Sequence, residues 1–341
     1  MDERKYFILS AILSSYIENG QAIGSRILKR EYDMDVSAAT IRNEMSDLEH
    51  EGYLEKTHVS SGRIPSEKAF RWYVDELMTR GLKDDQVLRL PTKSLFSQTN
   101  DPKEVLSNAL NLLSDVTGLA SFILLPSREK DLLNKIRIIP MSDRDLVLLM
   151  VFNSNFIQTD LVHLHGQYSK QRLDRAGEIL QELLENRNLK SIDDFLHSSF
   201  FSGSYVSGNV MSELVPLLRD HIRRNMEAAV DFAGLTKLIT GANYNGEESL
   251  DFIRRLQNDP DFIEYIGGLD ANLPVSIKIG RENPQDWLQE RAIISVPYKV
   301  AGDFEGRIGV LGNIDMHYRR IINDVIRIGR YINSVTLRGR S

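Results

Sequence analysis

The stretch Ser37 to Glu49, Ser-Ala-Ala-Thr-Ile-Arg-Asn-Glu-Met-Ser-Asp-Leu-Glu, constrains this chain more than any other. Ser37 is a good N-cap, because its hydroxyl can accept one of the unpaired amide protons of a first helical turn. Ile41, Met45 and Leu48 recur at i, i+4 and i+7 and form a single apolar stripe that must dock inward. The opposite face carries Ala39, Arg42, Asn43 and Ser46, small or hydrogen-bonding residues that let a helix approach base edges closely.

The flanks extend this pattern into a winged helix-turn-helix over Ile23 to Val74. Ser25 to Arg30 reads as a short helix, and Glu31 to Val36 as the turn before the capped helix. After Gly52, Tyr53 to Thr57 reads as a strand. His58 to Pro65 then reads as a hairpin return in which Gly62 is expected to supply a positive φ. Lys56, His58, Ser60, Ser61 and Arg63 would sit at or near its tip, where phosphates are reached. Glu3 to Glu18, with Phe7, Ile8, Ile12 and Tyr16 inward, would close a three-helix core. Ser66 would cap a further helix to Arg80, placing Lys68 and Arg71 near phosphates or on a solvated face. Taken residue by residue, the stretch suits either DNA reading or a protein docking module.

The whole chain has 341 residues, 42% of them hydrophobic, enough for two or three packed domains. It has no cysteine, which excludes disulfides and thiolate metal sites and is compatible with a reducing cytoplasm. The apolar runs, such as Leu146 to Phe152, fall far short of a membrane span, and Asp2 and Glu3 stand where a signal peptide would be basic. A cytoplasmic location without membrane contact is expected. The net charge of −6 is against a nonspecific DNA coater, so binding would depend on direct base contacts and on engaging two sites.

Beyond the first unit (1–82), the polar stretch 83–100 reads as a linker. Asp101-Pro102-Lys103-Glu104 is a helix start, with Asp as cap and Pro at the first position. Leu119 to Leu125, Ile136 to Ile139, Leu146 to Phe152 and Phe156 to Val162 read as strands of a helix-covered sheet. Helices follow at Ser169 to Glu185 and Leu189 to Leu196. A third carries Leu214, Leu218, Ile222, Met226 and Val230, with Pro216 in its first turn. Leu235 to Thr240 reads as a strand, then a helix through Leu250, Ile253 and Leu256. Strands are expected at Val275 to Ile279, Ile293 to Val296 and Arg307 to Leu311. Tyr318 to Leu337 closes the chain as a long helix. Sheet, helical interruption and sheet again point to an insertion within an α+β domain, placed at residues 166–234 and flanked by 101–165 and 235–341.

Catalytic patterns are weak. His163 and His165 would share one face of a strand, but no third metal ligand stands nearby. There is no Gly-x-Ser-x-Gly, no P-loop and no dinucleotide fingerprint. Gly309 and Gly312 read as strand glycines at close packing, and the neighbouring Asp193 and Asp194 diverge on a helix, so they make a poor acid/base pair. No enzyme, no cofactor and no metal are expected.

The wording of Val36 to Glu49, of Gly52 to His58, of Ser61-Gly-Arg-Ile-Pro-Ser66 and of Phe70-Arg-Trp-Tyr-Val-Asp75 closely resembles HrcA, the bacterial heat-inducible transcription repressor family. Ile279-Gly-Arg-Glu-Asn283, Val296-Pro-Tyr298 and Gly309 to Tyr318 extend the resemblance over nearly the whole chain. It implies an α+β multidomain protein: a winged helix-turn-helix, then a GAF-like domain interrupted by an inserted dimerising domain. It implies a homodimer on double-stranded DNA at an inverted repeat (the CIRCE element) before chaperone genes, held active by the GroEL chaperonin. Ser37, Ala39, Thr40, Arg42, Asn43 and Ser46 would face the bases, with His58, Ser61, Arg63, Lys68 and Arg71 on the backbone. Two departures stand out: Thr57 where the family has Pro, and Asn313-Ile-Asp-Met-His-Tyr318 where it has Gly-Pro-Thr-Arg-Met-x-Tyr. An alternative is a small-molecule-responsive regulator, although the continuous Leu, Ile and Val of the strands favours a packed interior.

Overall fold

A computed structural model describes residues 2–56, 62–81, 102–125, 127–154, 156–198, 210–238, 246–269, 273–299 and 305–338. The linker expected at 83–100, and His58 and Ser61 with it, lie outside the described residues. The fold is mixed α/β, with sheets that are antiparallel throughout.

The chain opens with α1 (Glu3–Asn19), α2 (Ser25–Glu31) and α3 (Ala38–His50), then β1 (Leu54–Lys56) paired with β2 (Arg63–Pro65), then α4 (Glu67–Arg80). Asp2 accepts the Lys5 amide at 2.8 Å to start α1, and Gly20 ends it at φ 65°. Ile8, Leu9, Ile12 and Leu13 of α1, Leu28 of α2 and Ile41, Met45 and Leu48 of α3 share one core. Each such side chain contributes roughly 1.5–3 kcal/mol by leaving water, more than the cap beneath it supplies. Phe7, expected inward, is 51% exposed, because Leu9 and Leu13 take the inner face instead. Gly62 does not take a positive φ. Its value is steric: a Cβ there would stand 2.5 Å from the Ile23 carbonyl oxygen, blocking the bridge between Ile23 and Arg63.

The body begins with α5 (Pro102–Thr117) and β3 (Ala120–Leu125). A three-stranded sheet follows, built from β4 (Leu133–Pro140), β5 (Asp145–Phe152) and β6 (Ile157–His163), with α6 (Lys170–Leu184), α7 (Leu189–His197) and α8 (Met211–Met226). Then come β7 (Ala229–Ala233), α9 (Gly246–Asn258), α10 (Pro260–Gly268), β8 (Ser276–Ile279), β9 (Arg291–Lys299), β10 (Glu305–Asn313) and α11 (Tyr318–Arg338). The main sheet has five strands in the order β7-β3-β10-β9-β8. Ile123, Ile294, Val296, Ile308 and Val310 pack with α5 and α11 on one face. Phe122, Leu124, Ile293 and Leu311 pack with Phe252 and Leu256 of α9 and Phe262 and Ile266 of α10 on the other. A sheet covered on both faces explains why β9 and β10 are buried along almost their whole length.

Further expectations differ from this arrangement. The strands at 133–163 belong to a sheet of their own, packed with Leu173, Leu180, Ile192, Leu214 and Leu218 of α6 to α8. The chain leaves the main sheet at Leu125 and returns at Ala229, directly beside β3. Leu235 to Leu238 is a 3-10 turn, not a strand; the strand is Ala229–Ala233, which the i, i+4 spacing through Val230 disguised as helix. Pro216 lies within α8, which starts at Met211, not in its first turn.

Candidate nucleic-acid interface

The interface is built on α3. The Ser37 hydroxyl accepts the Thr40 amide at 3.0 Å and lies 2.9 Å from the Thr40 hydroxyl, so Ser37 and Thr40 fix the first turn. With Ile41, Met45 and Leu48 fully inward, rotation of the helix is set, and Ala39, Arg42 and Asn43 stand exposed with Ser46 half-exposed beside them. Among the described residues, Arg42 and Asn43 make no side-chain hydrogen bond or ion pair.

The charges around this face are arranged differently. Arg4 pairs with Glu44 at 3.4 Å, and Lys5 pairs with Glu51 at 2.7 Å. Glu49, at the far end of α3, receives Lys56 and Arg63 at 2.7 Å each, tying the helix to both strands of the hairpin. The Lys56 hydrogen bond, with Arg63 adding to it, holds the Glu49 carboxyl below its usual range. Lys68 donates to the Glu51 carbonyl at 2.8 Å and lies over the Tyr53 ring at 4.4 Å, closing the C-terminal end of α3 with a cation. Glu44, Glu49 and Glu51 are therefore matched by cations of the same unit, and the outward face of α3 carries a cation, Arg42, that pairs with none of them.

Arg63, Lys68 and Arg71, grouped in the sequence as backbone anchors, are not brought together on that face. Arg63 and Lys68 brace α3 from behind. Arg71 reaches the body: its Nε donates to Glu282 at 2.6 Å, a second bond joins its Nη2 to the same carboxylate, and Nη2 also donates to the Ile277 carbonyl at 2.9 Å. Glu282 went unnoticed as a functional residue. Its only sequence signal is its place in the Ile279 to Asn283 run.

Elsewhere, His163 Nδ1 lies 2.7 Å from Asp145, and His165 falls beyond the end of β6, so the two do not share a strand face. Among the described residues no group of three His, Asp or Glu side chains could hold a metal ion. None of the described helices is long and apolar enough to cross a membrane. A partly open cleft of about 490 Å³ lies between α5, β3 and the start of β6, lined by Leu106, Ile123 and Tyr298 and by the charged Lys103, Arg128 and Asp231 among others.

A family model described as the HrcA protein C-terminal domain matches residues 103–322, well over half of the chain. The chain belongs to the HrcA family. Among curated HrcA proteins, each named heat-inducible transcription repressor, it is 32% identical to that of Clostridium tetani over 95% of this chain and 92% of the relative. It is 30% identical to that of Natranaerobius thermophilus (95% and 94% covered), and 27% to that of Caldanaerobacter subterraneus (98% and 97%). The HrcA family is one of transcription repressors, not of enzymes. A crystal structure described as a hypothetical protein shares the fold, with TM-score 0.73 and 23% identity over 98% of this chain and 99% of that one.

Proposed function

We propose that this chain represses heat-shock genes by occupying an inverted-repeat operator, the CIRCE element, as a homodimer, with the GroEL chaperonin maintaining its active form. The observation that carries the reading is the outward face of α3, where Arg42 and Asn43 stand exposed and uncommitted while Glu44, Glu49 and Glu51 of the same helix region are paired with Arg4, Lys56, Arg63 and Lys5. Arginine and asparagine are the side chains suited to two-pronged bonds with guanine and adenine edges in a major groove. Residues 3–80 act as a winged helix-turn-helix in which Thr40, Arg42, Asn43 and Ser46 read bases. Ser37 and Ala39 allow close approach, and His58 and Ser61, outside the described residues, are assigned to the DNA backbone. Arg63 and Lys68 hold the frame.

A two-fold operator calls for a two-fold protein. The three-stranded sheet supports one. Its helix-free face carries Val147, Leu149 and Val151 half-exposed on β5, flanked by Ile139 at 46%, Ile157 at 58% and Leu161 at 75% exposure. The register sets Val147 between Ile139 and Leu161, giving a contiguous apolar surface suited to a second copy. On this reading residues 127–228 are the inserted dimerising domain, and the five-stranded sheet with its helices is the GAF-like body. Chaperonin dependence would follow from apolar strands that stay exposed until this face and the body have formed.

Arg42→Ala tests the base-reading role. Operator affinity should fall roughly 10- to 100-fold, the size of one two-pronged base contact, while affinity for a scrambled duplex of equal length changes little. An equal loss on both duplexes in a gel-shift titration would make Arg42 a phosphate contact instead.

A further inference from the structure

The motif residues that α3 does not use converge on one seam between α4 and the loop after β8. Arg71 spans it with two bonds to Glu282 and one to the Ile277 carbonyl. One turn earlier on the same helix, the Glu67 carboxylate accepts the Arg281 amide at 3.2 Å. That carboxylate rests on Gly280, where an added Cβ would stand 2.5 Å from Glu67 Cδ and where φ is +54°. Gly280 is thus the residue that lets Glu67 seat. Phe70, between the two, meets the buried Tyr318 ring of α11 at 6.2 Å. The receiving loop is itself fixed: the fully buried Asn283 donates to the carbonyls of Gly280, Leu288 and Arg291 and accepts from Tyr265.

A unit joined to its neighbour by a chain segment alone is expected to reorient freely. A two-pronged arginine–carboxylate pair, a backbone acceptor and an aromatic contact on one helix face remove that freedom, because each constrains direction as well as distance. We infer that Arg71 and Glu282 are positioning residues: they lock the DNA-reading head to the body at one angle, and so set the half-site spacing that the dimer accepts. This inference rests on the two-headed reading above. It assigns Arg71 to specificity through geometry, not to a phosphate.

The experiment uses the full chain and needs no native cysteine removed. Spin labels at Lys29→Cys on the head and Glu290→Cys on the body, diluted into unlabelled protein, report the width of the head–body distance distribution without DNA. Wild type should give one narrow distribution, and both Glu282→Ala and Arg71→Met, which keeps the buried stem, should widen it at least about twofold. Unchanged widths in both overturn the seam. In titrations, Glu282→Ala should bind a single half-site duplex within about twofold of wild type. It should lose about tenfold on the inverted repeat, because a loosened second head has a lower effective concentration. It should also tolerate spacers changed by half a helical turn that wild type rejects. If Glu282→Ala instead gains affinity for the half-site, or keeps the wild-type spacer preference, Arg71 is a phosphate ligand held in reserve and the inference falls. Wild type binding repeat and scrambled duplex equally would remove the two-headed reading, and the label widths alone would then decide the seam.

Discussion

In the five-stranded sheet, β9 is buried along almost its whole length, whereas in the three-stranded sheet β5 is buried only at every second residue. Both strands are apolar nearly throughout: Ala292 to Val296 in one, Leu146 to Phe152 in the other. The difference lies in what covers them. Helices pack on both faces of the larger sheet, and α6, α7 and α8 on one face of the smaller. An apolar run in an antiparallel strand therefore reports that both faces lose water, without saying whether the cover comes from the same chain. In the smaller sheet the missing cover is what a second copy would provide.

The largest expected contrast is in folding stability. Phe122→Ala, in the doubly covered sheet, should cost about 3–5 kcal/mol in urea unfolding, since its ring is fully buried against Phe262. Leu161→Ala, on the open face, should stay within about 0.5 kcal/mol at concentrations where the chain is monomeric. A comparable loss at both sites would mean the open face is covered within the chain. Next in size is association. Leu161→Asp places a charge on the most exposed residue of the apolar surface and should weaken the dimer by at least about tenfold in sedimentation equilibrium, leaving the monomer's Tm nearly unchanged. Undisturbed association would put the two-fold elsewhere.

The smallest effect concerns the edge of that face. The hydrogen bond from His163, with one from Ser142, holds the Asp145 carboxyl below the usual carboxylate range. A carboxyl depressed in the folded state stabilises above its unfolded pKa, about 3.9, and this contribution is lost as pH falls through the lower folded value. Asp145→Asn should therefore make the acid limb of a Tm-against-pH curve shallower below about pH 4, and added salt should hide the difference. An acid limb identical to wild type would show the pair to be idle.

Local physics made the first unit legible. The Ser37 cap, the Ile41–Met45–Leu48 stripe and the Ser66 cap each depend on residues within a turn of one another, and the structure places all three as the spacing predicts. The Asp259-Pro260 start of α10 is equally local and obeys the same cap-then-proline rule. Sheet membership was not legible. β7 pairs with β3 across the whole intervening unit, and Val230 continues a helical spacing that the strand pairing overrides. The same limit applies to the candidate site. Arg42 and Arg71 are both arginines on polar helix faces, and only the distant Glu282 separates a free side chain from a tied one. The Asn313 to Tyr318 departure lies at this seam as well: burial pushes the Tyr318 hydroxyl above its usual range, and Asp315 adds to the effect.

The contact between Phe70 and Tyr318 also carries a consequence for biosynthesis. The helices of the first unit can form as soon as they leave the ribosome, but the Phe70 contact cannot form until Tyr318 has emerged. Until then a nascent chain holds a first unit whose contact with the body is unmade. Translation itself therefore sets a delay between making this protein and silencing a promoter.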